Sequence, residues 1–294
     1  MLGLAALGRA HSTRAMKPSL PDVLLGKRQG ASSAVILCHG LGDTSEGWSD
    51  TVRHALVPGL PDTLFILPTA PTQPVTINGG ASCPSWYDIE SLSRSRSLER
   101  CAGLEDSVAR VHGLVAAQVA AGVPESRVAL VGFSQGGALS LFSALNWQGA
   151  PLGGAFVLSG YLPRPGDAKP SAATRAQMPV RLYHGTADGV VPLAAAHDAE
   201  SRTRAMGMAS VQLQVYDGLQ HSANEQELAD LLRDLRAAFA PPRAPATPEA
   251  LAEMSTKQLK AFLVERNAGS ARIAACLEKA ELLALALEVL GSKP

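Results

Sequence analysis

A chain of 294 residues with 46% apolar content suits one large α/β domain, or a medium domain plus a small one. The 26 Lys and Arg balance the 26 Asp and Glu, so composition excludes an electrostatic case for nucleic acid or for an anionic membrane surface. The four cysteines lie apart without C-x-x-C spacing, which excludes a metal motif and a disulfide framework, and no apolar run is long enough to cross a bilayer. A reducing, cytoplasmic setting fits, and neither cofactor nor metal is expected.

Residues 1–22 read as a flexible extension. Arg9, Arg14 and Lys17 precede the first acid, Asp22, so an organellar transit peptide is the alternative for residues 1–20. Ala34–Cys38 is an apolar run of strand length that leads into His39-Gly-Leu-Gly-Asp43. Asp43, Thr44 and Ser45 are N-cap types for a helix through Trp48, Val52 and Leu56, stopped by Pro58 and Pro61. Thr63–Leu67 is the next strand. From Pro68 to Ser97 neither period is clear, yet Val75, Ile77 and Trp86 recur among prolines and glycines. Such a long irregular stretch is usually a lid or binding loop, and its apolar residues predict that it covers something.

Leu98–Ala121 carries the longest helical pattern, ended by Gly122 and Pro124. Strands are then predicted at 128–131, 154–158, 180–183 and 211–216. Helices are predicted after Ser134, at 192–204 and at 224–239. Alternating strands and helices predict a mostly parallel sheet with helices on both faces. In such sheets ligands sit beyond the carboxyl ends of the strands. His39, Ser134, Ser159, Asp188 and His221 all fall just past strand ends, so they converge on one rim.

Gly132-Phe-Ser-Gln-Gly136 is G-x-S-x-G between a strand and a helix. That is the nucleophile elbow of α/β-hydrolases, whose acid and histidine follow in that chain order. Here the order gives Ser134, Asp188 and His221. A serine hydroxyl needs a base, and the base needs an orienting carboxylate. His221 follows the last strand, whereas His54, His112 and His197 fall inside helical patterns and read as structural or solvated. An oxyanion needs two backbone donors. Gln135 N–H supplies one, and Leu41 N–H, in the Gly40-Leu41-Gly42 loop, supplies the other.

These residues, with Trp48, Pro68-Thr-Ala-Pro71, Val75-Thr-Ile-Asn78, Pro84-Ser-Trp-Tyr-Asp88, Ser159-Gly-Tyr-Leu-Pro163, Val191-Pro192 and His221-Ser222, resemble the acyl-protein thioesterase family, also called the phospholipase/carboxylesterase family. The resemblance covers Val23 to Phe239. It implies an α/β-hydrolase cleaving acyl thioesters or esters, with the triad and oxyanion donors named above. It also implies that the Pro71–Trp86 loop lines an acyl channel, through Val75, Ile77 and Trp86. Its substrates would be acylated proteins or lipids such as lysophospholipids, with membrane contact only through the substrate. Gln220 departs from the small residue usual before the histidine. The alternative function is a binding protein on a hydrolase scaffold.

Pro241–Pro248 is a Pro-rich linker, and 23–240 is therefore the hydrolase domain. Residues 249–294 form a small helical module. Ser255-Thr-Lys-Gln258 is a capping-box pattern, and Leu259, Phe262, Leu283 and Leu287 are its predicted core. With Cys276-Leu-Glu-Lys-Ala-Glu-Leu282 it resembles a SAP-type module. Six basic residues and six acids between Ala246 and Pro294 leave no footprint for phosphates, so a protein partner is favoured over nucleic acid.

Overall fold

The computed structural model describes residues 20–91, 99–240, 247–266 and 268–291. Two compact units divide the chain, 1–239 and 240–294. The predicted N-terminal extension lies outside the described residues up to position 19, and the Pro-rich linker up to 246.

The first unit is built on a seven-stranded sheet of order β1-β3-β2-β6-β7-β8-β9. Its strands are β1 (Val23–Gly26), β2 (Ser33–Cys38), β3 (Thr63–Leu67), β6 (Val128–Phe133), β7 (Gly154–Leu158), β8 (Val180–Gly185) and β9 (Val211–Tyr216). β1 runs antiparallel to β3 and closes one edge; every other pairing is parallel. The inner strands are buried on both faces, which explains their unbroken apolar runs. Alternation still assigns each side chain a face. Ala34, Ile36 and Cys38 enter one core layer, while Val35 and Leu37 enter the other.

Helices cover both layers. α1 (Ser45–Thr51) continues as a π-turn over Val52–Leu56, and with α6 (Glu225–Ala238) it packs Trp48, Val52, Leu56, Leu231 and Leu235 on one face. α2 (Leu104–Ala120), α3 (Gln135–Leu145) and α5 (Leu193–Ala205) cover the other with Leu104, Val111, Leu139, Leu141 and Ala199. The helices after β2 and β6 thus leave on opposite faces although those strands are neighbours. The crevice between their carboxyl ends is the topological switch point where open α/β sheets bind ligands.

Two local expectations are refined, and one helix is added. α2 begins at Leu104 rather than Leu98, which lies outside the described residues, because Gly103 has φ 94° and Cys101 φ 49°, left-handed geometry that no helix continues through. The irregular stretch after Pro68 contains a small hairpin, β4 (Thr72–Pro74) paired with β5 (Ser82–Pro84). A short helix, α4 (Ala172–Gln177), precedes β8, capped by the Ser171 hydroxyl, which accepts from Thr174 N–H at 3.1 Å.

The second unit comprises α7 (Pro248–Glu253), α8 (Thr256–Glu265), α9 (Ser270–Ala275) and α10 (Lys279–Gly291). The capping box of α8 is formed in both directions by Ser255 and Gln258. Leu259 and Phe262 are buried with Leu251, Leu263 and Ile273. On α10 the buried positions are Leu282, Leu285 and Ala286; Leu283 is only partly buried and Leu287 is 38% exposed. Leu287 is thus not a core residue. α10 is apolar on several sides, so spacing alone left its inward face undetermined.

Candidate active site

Ser134 sits between β6 and α3 with φ 54° and ψ −119°. A side-chain-bearing residue there stores on the order of 1–3 kcal/mol of strain, so its surroundings must enforce it. Ser134 N–H donates to Leu158 O at 2.8 Å, and Ser134 O accepts from Ala138 N–H at 3.0 Å. Gly132 and Gly136 are required by contact. A Cβ on Gly136 would overlap the carbonyls of Cys38 and His39, and one on Gly132 would overlap the backbone of Gly136. This close approach presses the elbow against the end of β2.

His221 completes the surroundings of Ser134. Its Nε2 lies 3.0 Å from Ser134 Oγ, and its Nδ1 lies 2.7 Å from Asp188 Oδ2. The other oxygen of Asp188 accepts from the amides of Val190 and Val191 at 2.9 and 2.8 Å. Burial works against the Asp188 charge. The His221 N–H and the Val191 and Val190 amides outweigh it and hold the carboxyl below its ordinary range. A second histidine, His184, closes the same loop: its Nε2 is 2.7 Å from Val191 O and 3.4 Å from Asp188 Oδ2. Burial depresses its basicity, so it is neutral and donates.

Leu41 and Gln135 border the same cavity as Ser134 and His221. Neither amide is bonded to a backbone acceptor among the described residues. The loop before Leu41 is pinned by His39, whose Nδ1–H donates to Gly40 O at 2.7 Å while its Nε2 accepts from Ala70 N–H at 3.0 Å. The cavity is about 280 Å³. Its apolar walls come from Trp48, Ile89, Phe133, Tyr161, Val190 and Val191. Phe133 bridges wall and base, with its ring 5.4 Å from Trp48 and 4.8 Å from His221.

The structure does not bring Val75, Ile77 or Trp86 to this cavity. Val75 and Trp86 are fully buried, and Ile77 is partly buried against the same core layer. Val75 and Trp86 thus face the domain's own interior, while Ile77 is half-buried. The wall residues that sequence reasoning left out do carry a signal. Phe133 is inside the elbow, while Tyr161, Val190 and Val191 follow the ends of β7 and β8.

Residues 22–238 match the phospholipase/carboxylesterase pattern. The chain belongs to that family. It is 36% identical over 210 residues to acyl-protein thioesterase 1 of Emericella nidulans, covering 68% of this chain and 87% of the relative. The acyl-protein thioesterase 1 of Yarrowia lipolytica is 35% identical over 222 residues, covering 73% and 96%. Among solved structures, Arabidopsis thaliana SOBER1 aligns with a TM-score of 0.65 at 28% identity, over 71% of this chain and 99% of its own. Zea mays acyl-protein thioesterase 2 aligns with a TM-score of 0.64 at 26% identity, over 75% and 99%. For this member of the phospholipase/carboxylesterase family, the helical second unit lies beyond the matched residues, and the SAP-type likeness has no counterpart in that match. Gln220, the departure beside the histidine, is exposed, and its backbone carbonyl accepts from Ser222 N–H at 2.8 Å.

Proposed function

We propose that this protein is a serine hydrolase of acyl thioesters or esters that works through an acyl-enzyme on Ser134. The observation that carries the reading is the continuous Ser134–His221–Asp188 contact, 3.0 and 2.7 Å, opening on an apolar cavity. Ser134 Oγ attacks the acyl carbonyl while His221 Nε2 takes its proton. Asp188 holds Nδ1–H and supports the resulting imidazolium. The tetrahedral oxyanion accepts from Leu41 N–H and Gln135 N–H, donors that are in place before charge develops. The C–S or C–O bond then breaks, and the leaving thiolate or alkoxide takes the proton from His221. Water repeats the sequence on the Ser134 ester and releases the carboxylic acid.

The apolar wall suits an acyl chain, since each buried methylene is worth roughly 0.8 kcal/mol. The names of the relatives support acyl groups on proteins as substrates, and the family name supports phospholipids and carboxylic esters. Four free cysteines support a reducing, cytoplasmic setting. We assign the hydrolase to 23–240, a linker to 241–248 and a protein-interaction module to 249–294, whose neutral charge favours a protein over nucleic acid.

The test is a series of acyl thioesters and oxyesters of increasing chain length, with Ser134→Ala as the control and a fluorophosphonate label on the folded protein. Turnover and labelling that both vanish with Ser134→Ala are expected. A folded wild-type protein that neither turns over nor labels would favour the scaffold reading.

A further inference from the structure

The segment Pro84–Tyr87 lies outside the acyl cavity, yet it is bonded to both backbone stretches that carry the oxyanion donors. Gly42 N–H donates to Pro84 O at 2.8 Å. The indole N–H of Trp86 donates to His39 O at 2.8 Å, and its ring lies 5.1 Å from the His39 ring. On the other side the Gln135 side chain is saturated. Its Oε1 accepts from Trp86 N–H at 3.0 Å, and its Nε2 donates to Tyr87 O at 2.7 Å and to Ser85 Oγ at 3.0 Å. This pattern also fixes the amide orientation, because the reverse would set N–H against N–H at Trp86 and oxygen against oxygen at Tyr87.

All five residues are buried: His39 and Gln135 are 1% exposed, and Ser85, Trp86 and Tyr87 are fully buried. The segment is anchored from behind as well, where Ser107 Oγ donates to Trp86 O at 2.5 Å. Leu41 stands between His39 and Gly42, two residues that are each bonded to this segment. Gln135 is itself the residue after the nucleophile. One short piece of chain therefore spans two loops that arise from different strands, β2 and β6.

We propose that Trp86 and the Gln135 side chain form a brace that sets the spacing of the Leu41 and Gln135 amides, which makes Trp86 a positioning residue for hydrolysis. The proposal rests on the serine-hydrolase reading above. Its physical basis is that oxyanion stabilisation depends on donors fixed before charge develops, in a site where they need not reorganise. A single bond from a rigid indole to a carbonyl one residue from the Gly40–Leu41 turn provides that fixity. Losing it frees the loop and leaves the His39 carbonyl without its partner.

The test compares Trp86→Phe and Gln135→Met with wild type. Phe keeps a ring against His39 and loses the indole N–H, along with part of the buried ring volume. Met keeps the length and loses the amide bonds, while both backbone donors remain. Rates on a short soluble ester, affinity for a trifluoromethyl ketone that forms a tetrahedral adduct, and the ratio of long-chain to short-chain rates are measured. The expected result is a fall in kcat of roughly 10- to 100-fold with KM changed less than about threefold, because the donors act in the transition state. Ketone affinity should weaken in parallel with kcat/KM, and the chain-length ratio should stay constant. Unchanged kcat and ketone affinity would overturn the proposal. So would a loss that grows with acyl length, which would make Trp86 a wall of the acyl site. Failure of both variants to fold would make the segment a stability element and overturn it too. A wild-type protein without turnover would instead defeat the hydrolase reading, so the two failures are distinguishable.

Discussion

Asp188 Oδ2 and His221 Nδ1 meet at 2.7 Å, and the carboxylate faces the ring nitrogen that points away from Ser134. A charged carboxylate only accepts, so this contact places a proton on Nδ1 and a lone pair on Nε2. The contact thus selects the tautomer that can take a proton from Ser134. In Asp188→Asn the amide can donate to Nδ1 and stabilise the wrong tautomer. kcat should fall on the order of 10⁴-fold with the protein folded, as measured on a short ester. The same variant tests the charge. Asp188 is held below its ordinary value, so its contribution to stability is present above about pH 4 and is lost as pH falls through its folded value. Acid should therefore lower Tm less steeply in Asp188→Asn than in wild type.

Ser134, the proposed nucleophile, also carries backbone strain, with φ 54° and ψ −119°. Glycine adopts such angles without a Cβ penalty, whereas alanine retains it. Ser134→Gly and Ser134→Ala should both abolish turnover. Urea unfolding should find the glycine variant more stable than the alanine variant by about 1 kcal/mol, less the added entropy of its unfolded chain. Equal stabilities would show that the elbow stores no strain at this residue.

Glu227, in the first turn of α6, is fully buried, and neither carboxyl oxygen has a partner among the described residues. Burial pushes its carboxyl up to about 8, with the Asn224 backbone N–H opposing the rise and Asp188 adding to it. Below its ordinary value of 4.5 both states hold the proton and there is no cost. As pH rises, the unfolded chain releases the proton first, so stability falls between 4.5 and about 8. Glu227→Gln does not titrate. Its Tm relative to wild type should rise steadily across this window and level off above it. A constant difference from pH 5 to 9 would contradict the burial argument.

The hydrolase unit ends at Phe239, which is 5% exposed and belongs to the core layer of α6. The second unit has a core of its own around Leu251, Leu259, Phe262 and Leu282. A chain ending at Pro242 should therefore fold and hydrolyse a short ester within about twofold of the full-length rate, since every proposed catalytic residue precedes that point. Insolubility, or collapse of short-ester turnover, would place the boundary elsewhere.

Much of this was legible in the residue order. Apolar runs marked the strands because both sheet faces are buried, as at Ala34–Cys38 and Val128–Val131. The G-x-S-x-G turn identified Ser134 because the close contacts of Gly132 and Gly136 exclude any Cβ. Asp188 and His221 were reachable because strand order puts loop residues on one rim. Hydropathy could not assign Val75, Ile77 and Trp86, since an apolar residue in an irregular stretch can face a ligand or the interior with equal ease. Helical spacing likewise could not choose between Leu287 and Leu285 on an all-round apolar α10. The sequence by itself determined the strand–helix alternation and singled out the proposed nucleophile and its two partners, because each depends on local chemistry at a known chain position. Only the tertiary structure decided that Trp86 faces His39 and Gln135, that Tyr161 and Val190 form the cavity wall, and that Glu227 is sealed from water. These depend on which elements pack together, and packing joins residues far apart in the chain.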